Sequence, residues 1–377
     1  MADKLNIEKF TLPGLREERP LIMAGPCSAE TETQVVNTAK QIAKHGIQIF
    51  RAGVWKPRTR PETFEGHGTK ALPWLKKAKE ETGMFMAIEV ANVKHVYEAL
   101  KHGVDILWLG ARTTANPFAV QEIADALNGV DIPVLVKNPI NPDVELWIGA
   151  LERINRAGIT KLAAIHRGFS SYEGTIYRNP PQWEIPIELK RRFPDLPVIT
   201  DPSHICGTWE NLFEISQKAM DLNFDGLIIE SHENPEEAWS DAKQQLSPIE
   251  LKAMLDKIVL RHPEIDENLK ATLEEMRLKI DKFDDEIIKI FEKRMDVAEK
   301  IGLYKKQNKI TILQSKRWDE ILNKRIKQGG MKGLSADFIT KIFRAIHQES
   351  INHQEKIMST EEKNSKQGIK SQQEAKS

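Results

Sequence analysis

Cysteine is almost absent: Cys27 and Cys206 are the only two in 377 residues. That scarcity excludes a secreted scaffold held by disulfides and suits a reducing cytoplasm, the expected location. No run of about 18 apolar residues occurs, so no membrane span is expected. The opening stretch MADKLNIEKF lacks the apolar core of a secretory leader. Net charge is missing too, since 55 Lys+Arg balance 55 Asp+Glu. A neutral chain has no long-range attraction for nucleic acid or an anionic membrane, and neither is expected as a partner. Any anion it binds must be caught by a local cluster of cations.

What is there is a rhythm. From about residue 20 to 260, short apolar runs alternate with longer amphipathic stretches. The runs are LIMAG (21–25), IQIFRAG (47–53), MFMAIEV (84–90), DILWLG (105–110), PVLVKN (133–138), KLAAIH (161–166), PVITDP (197–202) and DGLIIES (225–231). Nearly unbroken apolar runs of this length fit strands buried on both faces of a parallel sheet. Stretches such as TQVVNTAKQIAKHG and PDVELWIGALERINRAG supply helices between them. This α/β pattern predicts a (β/α)8 TIM barrel over 1–263, with a doubly wound open sheet as the alternative. From about Asn268 the strand-like runs stop. Leu273, Met276, Ile280, Phe283, Ile287 and Ile290 form one face of a long helix, and shorter helical patterns follow near 316–328 and 335–357. A smaller all-α domain is expected over 268–358, with RHPEIDEN (261–268) as linker and a polar, unstructured tail over 359–377.

In such a barrel, function sits at the carboxyl ends of the strands. Here the runs end in Cys27; Arg51 with Lys56 and Arg58; Glu89; Arg112; Lys137; His166 with Arg167; Asp201 with His204; and Glu230 with His232. A lone strand-end arginine is usually solvated or salt-bridged, but so many together imply convergence on one site. Arg51, Lys56, Arg58, Arg112, Lys137 and Arg167 bring cations to one face, where mutual repulsion is offset only by anionic ligands. Phosphates and carboxylates suit the arginine fork. Cys27, His204, Glu230 and Asp241 offer a thiol, an imidazole and two carboxylates, a mixture suited to one divalent Mn2+, Fe2+, Co2+ or Zn2+. No local motif joins them, and Cys27 reads equally as a small buried hydrophobe. Cys206 reads as an inert thiol or as a disulfide partner for Cys27 on oxidation.

AGPCS (24–28), KPRT (56–59), GAR (110–112), HRG (166–168) and DPSH (201–204) stand in an order that resembles the 3-deoxy-D-arabino-heptulosonate 7-phosphate (DAHP) synthases, over about residues 20–260. The resemblance implies condensation of phosphoenolpyruvate with erythrose 4-phosphate on the shikimate route to aromatic amino acids. It implies that Cys27, His204, Glu230 and Asp241 hold the metal. Arg51, Lys56, Arg112, Lys137 and Arg167 would bind phosphoenolpyruvate, and Arg58 and Thr59 the phosphate of the aldose. Lys56 is a candidate proton donor; His166 and Asp201 are candidates for proton transfer or orientation. A sister family that uses arabinose 5-phosphate has a KANR-like stretch where this chain has KPRT. Arg60 departs from the small residue of many relatives.

On the helical segment, Arg294 falls on the apolar seam, where a buried cation needs an anion. Lys305, eleven residues on, returns to nearly the same face, while Arg277 lies about 100 degrees away. Ser350 and Gln354 share a face. MRLKID (276–281), KRMDVAEKIGLYK (293–305), QSKRW (314–318) and QESINHQ (348–354) resemble the all-helical chorismate mutases. That resemblance implies rearrangement of chorismate to prephenate without a cofactor. Arg277, Arg294 and Arg317 would bind the carboxylates, Lys305 and Gln354 the ether oxygen, and Ser350 would join them. It also implies a homodimer through the helical domain, with Arg277 reaching the partner's site. Gln314 and Trp318 stand where some relatives carry acids, one of which contacts the substrate hydroxyl. The expectation is a bifunctional enzyme in which prephenate binding also regulates the barrel. The alternative is a DAHP synthase whose helical domain only senses ligand or dimerises.

Overall fold

The computed structural model describes residues 4–56, 63–172, 174–261 and 267–374. Each apolar run forms one short parallel strand: β1 (Leu21–Gly25), β2 (Ile49–Ala52), β3 (Phe85–Val90), β4 (Ile106–Leu109), β5 (Val134–Lys137), β6 (Leu162–His166), β7 (Val198–Thr200) and β8 (Gly226–Glu230). They follow chain order and close into a barrel, β8 pairing with β1 from Leu21↔Gly226 to Gly25↔Glu230. The open-sheet alternative is thereby excluded.

Successive side chains of a strand point to opposite faces, so each run splits into two cores. Met23, Ile49, Ala87, Ile106, Trp108, Leu135, Ala163, Ile165, Ile199 and Ile228 fill the barrel interior. Their out-of-phase neighbours, among them Ala24, Phe50, Ile88, Leu107, Val136, Leu162 and Ala164, pack against the surrounding helices. Helices start where polar caps end the strand-to-helix loops. Thr31, Asn92 and Asp143 accept from Gln34 N (3.1 Å), His95 N (3.0 Å) and Leu146 N (2.9 Å). At Gly25 (φ 151°) an added Cβ would lie 2.1 Å from Arg51 O, so β1 and β2 approach closely just below the site.

The chain divides into two compact units, Met1–Pro263 and Glu264–Ser377. Most of the expected linker, 262–266, lies outside the described residues. Among the described residues the second unit has three helices, Glu267–Gln307, Ser315–Gly330 and Ala336–Glu374. The last runs well past residue 359, where polar composition pointed to an unstructured tail; its Lys, Gln and Glu are also good helix formers. The first and last helices pack so tightly that a Cβ on Gly302 would meet Gln354 Cγ at 3.0 Å and Cα at 3.1 Å. Within this unit the apolar seam of the long helix is exposed: Phe283 is 63% exposed and Ile290 61%. No helix among the described residues is long and apolar enough to cross a membrane.

Candidate active sites

One step of two residues beyond the interior core positions gives Arg51 (from Ile49), Glu89 (from Ala87), Lys137 (from Leu135), Arg167 (from Ile165), Asp201 (from Ile199) and Glu230 (from Ile228). Strand alternation thus aims all six into the carboxyl mouth of the barrel. A cavity of about 560 Å³ opens there, walled by Arg51, Lys56, Arg112, Lys137 and Arg167, together with His204 and Asp241. Five of the six expected anion-binding cations are therefore gathered. Arg58, with Thr59 and Arg60, lies outside the described residues.

Trp108 forms the floor. The Arg51 guanidinium and the Lys137 ammonium lie 5.2 and 5.8 Å from its ring centre, and its indole donates to Glu89 Oε2 at 2.9 Å. Arg51 pairs with Glu230 (3.0 Å) yet keeps a buried Nε with no partner. Lys137 pairs with Asp201 at 2.9 Å, both side chains buried. Burial pushes the Arg167 guanidinium down to about 10, and like-charged Arg178 and Arg112 add to the effect, although Asp201 opposes it. A site that depresses an arginine in this way favours an incoming anion.

The four expected metal ligands form two pairs. Cys27 Sγ lies 3.2 Å from Asp241 Oδ2, and His204 Nε2 lies 3.9 Å from Glu230 Oε1. As the side chains stand, no three of His, Cys, Asp and Glu among the described residues share a point within coordinating reach. Each donor has a protein partner instead. Lys56 Nζ sits 2.9 Å from Cys27 Sγ, Arg178 bonds Asp241 at 3.0 Å, and Asp201 Oδ2 lies 2.9 Å from His204 Nδ1. Burial, then Glu230, push the Cys27 thiol up to about 11 against the pull of Lys56. Burial would raise Asp241 and Glu230, but Arg178 lowers the first, and His204 and Arg51 lower the second, below their ordinary range.

Asp241 is folded back by a polar clasp. Leu246 N donates to Glu230 O (3.1 Å), Cys27 N to Gln245 Oε1 (2.9 Å), and the Ser28 and Ser240 hydroxyls meet at 2.5 Å. Asp241 itself adopts left-handed backbone (φ 50°), sparsely populated for a residue with a side chain. The two buried thiols, Cys27 and Cys206, are free.

His166 is a correction. It is out of phase with the interior and packs outward among Phe169, Trp183 and Phe224, its Nε2 2.6 Å from Pro181 O. It does not line the cavity, so proton transfer to a ligand there is excluded by geometry. Asp201 is buried, and its Oδ2 lies 2.9 Å from both Lys137 Nζ and His204 Nδ1. Sequence reasoning missed Trp108, Arg178 and Gln244, whose amide donates to Glu230 Oε2 at 2.5 Å. Only Trp108 carried a signal, its place in the interior phase of β4.

In the helical unit, Arg294 Nη1 donates to the buried Ser350 hydroxyl, and Gln354 is buried with an unpartnered Oε1. Lys305 donates to Ile312 O at 2.6 Å. Arg277 and Arg317 are not brought in: both are exposed and paired with their helix neighbours Glu274 and Glu320. Gln314 is exposed, and Trp318 stacks on His347 at 4.2 Å.

Residues 12–262 match the DAHP synthetase I family model, and residues 276–355 match chorismate mutase type II. A phospho-2-dehydro-3-deoxyheptonate aldolase of Thermotoga maritima is 32% identical over 225 residues, 60% of this chain. The match spans 64% of that relative, less than two thirds of its length. A 2-dehydro-3-deoxyphosphooctonate aldolase of Geotalea daltonii is 26% identical, covering 68% of this chain and 97% of its own. The crystal structure of a Thermotoga maritima DAHP synthase superposes with a TM-score of 0.60 at 29% identity, covering 66% of this chain and 71% of that one. With the closed barrel, the cationic cavity and the matched segments in agreement, the chain belongs to the DAHP synthetase I family and carries a C-terminal chorismate mutase type II segment.

Proposed function

We propose that this chain is a bifunctional enzyme of the shikimate pathway. The barrel condenses phosphoenolpyruvate with erythrose 4-phosphate to DAHP and phosphate, and the helical unit converts chorismate to prephenate. The observation that carries the first half is the gathering of Arg51, Lys56, Arg112, Lys137 and Arg167 around one cavity beside a thiol, an imidazole and two carboxylates. KPRT at 56–59, rather than a KANR-like stretch, favours the four-carbon aldose over arabinose 5-phosphate.

Cys27, His204, Glu230 and Asp241 would hold one divalent ion. Separations of 3.2 and 3.9 Å within the two pairs suit donors that share a first-row metal, whose neighbouring ligands stand about 3 to 4 Å apart. When bound, the ion supplies Lewis acidity to the aldehyde. The protein does the rest by placement and charge. Arg51, Lys137 and Arg167 hold phosphoenolpyruvate so that carbon 3 faces the aldehyde carbon. As the new carbon–carbon bond forms, Lys56 gives a proton to the aldehyde oxygen. Water adds at carbon 2, and phosphate leaves the hemiketal phosphate while Arg112 and Arg167 stabilise its charge. Arg58 and Thr59 grip the phosphate of the aldose. Asp201 keeps Lys137 and His204 oriented.

The rearrangement needs no nucleophile, only a compact conformer and stabilised charge on the ether oxygen. Arg294 with Ser350, Lys305 and Gln354 form one half of that site. Arg317, and Arg277 from a second copy, close it over the carboxylates. The exposed seam at Phe283, Ile287 and Ile290 supports a homodimer through the long helix. Prephenate held there acts as effector of the barrel, and the enzyme works in the cytoplasm, which suits its two free buried thiols.

Both reactions, assayed on the purified full chain with and without a chelator, test this reading. Chelation stops the condensation and spares the rearrangement; condensation that persists without metal overturns it. Arg294→Ala in a folded dimer abolishes the rearrangement. A folded wild-type chain that rearranges no chorismate leaves a helical unit that only senses ligand or dimerises, and an Arg294→Ala chain that keeps the wild-type rate overturns the role given to Arg294. Saturating prephenate slows the condensation; an unchanged rate removes the effector role.

A further inference from the structure

His347 lies on the last helix three residues before Ser350 and seven before Gln354, so all three share one face. Its imidazole stacks on Trp318 of the middle helix, ring centres 4.2 Å apart and planes 10° from parallel. The stack fixes the ring and leaves Nε2 buried with no hydrogen-bond partner. A buried polar atom of this kind costs stability unless something pairs with it. Gln354 Oε1, on the same face, is buried and unpartnered as well.

The surroundings select the partner. Burial, then the charges of Arg294 and Lys305, lower the His347 imidazole below its ordinary range. Arg325 of the middle helix adds a further positive charge beside Arg294. The ring is therefore neutral near pH 7, with one nitrogen carrying a proton and the other a lone pair. A hydroxyl, which both donates and accepts, satisfies Nε2 in either tautomer. Chorismate carries two carboxylates, an ether oxygen and a ring hydroxyl. Arginines take the carboxylates, and Lys305 and Gln354 the ether oxygen, so the hydroxyl remains.

We propose that His347 is a further substrate-binding residue of the helical unit, its Nε2 hydrogen-bonding the ring hydroxyl of the mutase substrate, with Trp318 as the positioning residue that holds the imidazole. The inference rests on the mutase reading. It accounts for an aromatic residue at 318: a flat ring supports an imidazole across the helix interface.

The test compares the full chain with its His347→Leu and His347→Gln variants, on chorismate and on the same molecule lacking the ring hydroxyl. His347→Leu lowers mutase kcat/KM for chorismate about tenfold, the worth of one hydrogen bond in a desolvated site. It leaves the rate on the dehydroxy substrate and the condensation rate unchanged. His347→Gln, which keeps an amide at the same reach, recovers most of the loss. An unchanged kcat/KM for chorismate, or an equal loss on both substrates, overturns the assignment while Arg294→Ala still reports the mutase. A wild-type chain that rearranges neither substrate overturns both readings. Helical circular dichroism, retained in every variant, separates a lost contact from a lost fold.

Discussion

Arg51 and Glu230 face each other across β1 at the barrel mouth, Nη1 3.0 Å from Oε1, with side chains only 3% and 2% exposed. The pair joins a cation expected to hold substrate to a carboxylate expected to hold metal. Breaking one side leaves the other charge buried alone. Arg51→Met should therefore destabilise the barrel by about 3–5 kcal/mol in denaturant unfolding and abolish condensation. Adding Glu230→Met should restore much of the stability and none of the activity.

Arg178 is half-exposed and bonds Asp241 and Gln244, each at 3.0 Å. An ion pair of this exposure contributes up to about 1 kcal/mol. Arg178→Ala should raise the metal concentration for half-maximal condensation by about fivefold and leave the fold intact. A metal titration of initial rates reads this directly.

His166 supplies a pH dependence unconnected with catalysis. Burial lowers its pKa from 6.5 to about 4, despite the pull of the Pro181 carbonyl. The folded state thus binds fewer protons than the unfolded state between those values, so stability rises with pH across that window. The contribution is present above pH 6.5 and lost as pH falls toward 4, on the order of 3 kcal/mol in all. The unfolding midpoint of the barrel, followed from pH 7.5 to 4.5, should fall less steeply in His166→Leu than in the wild type.

Gly302 lets the first and last helices of the C-terminal unit touch beside Gln354. Alanine there gains helix propensity of about 1 kcal/mol, yet its Cβ meets Gln354 Cα at 3.1 Å and must push it away. Gly302→Ala should lower mutase kcat by about tenfold through misplacement, with condensation unchanged. Coupled assays on one preparation separate the two effects.

Phe283, Ile287 and Ile290 expose an apolar face along the long helix. Phe283→Lys with Ile287→Asp should give a 43.0 kDa monomer in sedimentation, where the wild type should run as the proposed homodimer. The rearrangement should be lost with it, because Arg277 then has no second site to reach.

Much of the barrel was legible because strand periodicity is local. Ile49 and Arg51, or Ile228 and Glu230, are two residues apart, and two residues return to the same face. The same rule places His166 outside, although the motif HRG drew it into the site together with Arg167. Cys27, His204, Glu230 and Asp241 were readable as donor types, but the distances between them were not.

The order of apolar runs and turns by itself determined eight strand–helix units, the cations at their carboxyl ends and the long amphipathic helix, since each follows from spacing within a few residues. Closure of the sheet by β8 on β1 joins positions about 200 residues apart and was decided by tertiary structure. Tertiary structure alone decided that Arg178 bonds Asp241, that Gln244 reaches Glu230, and that Trp318 lies flat on His347. Those contacts join residues from 14 to 63 positions apart, through loops and between helices where no repeat carries phase. Only packing sets which side chains meet there.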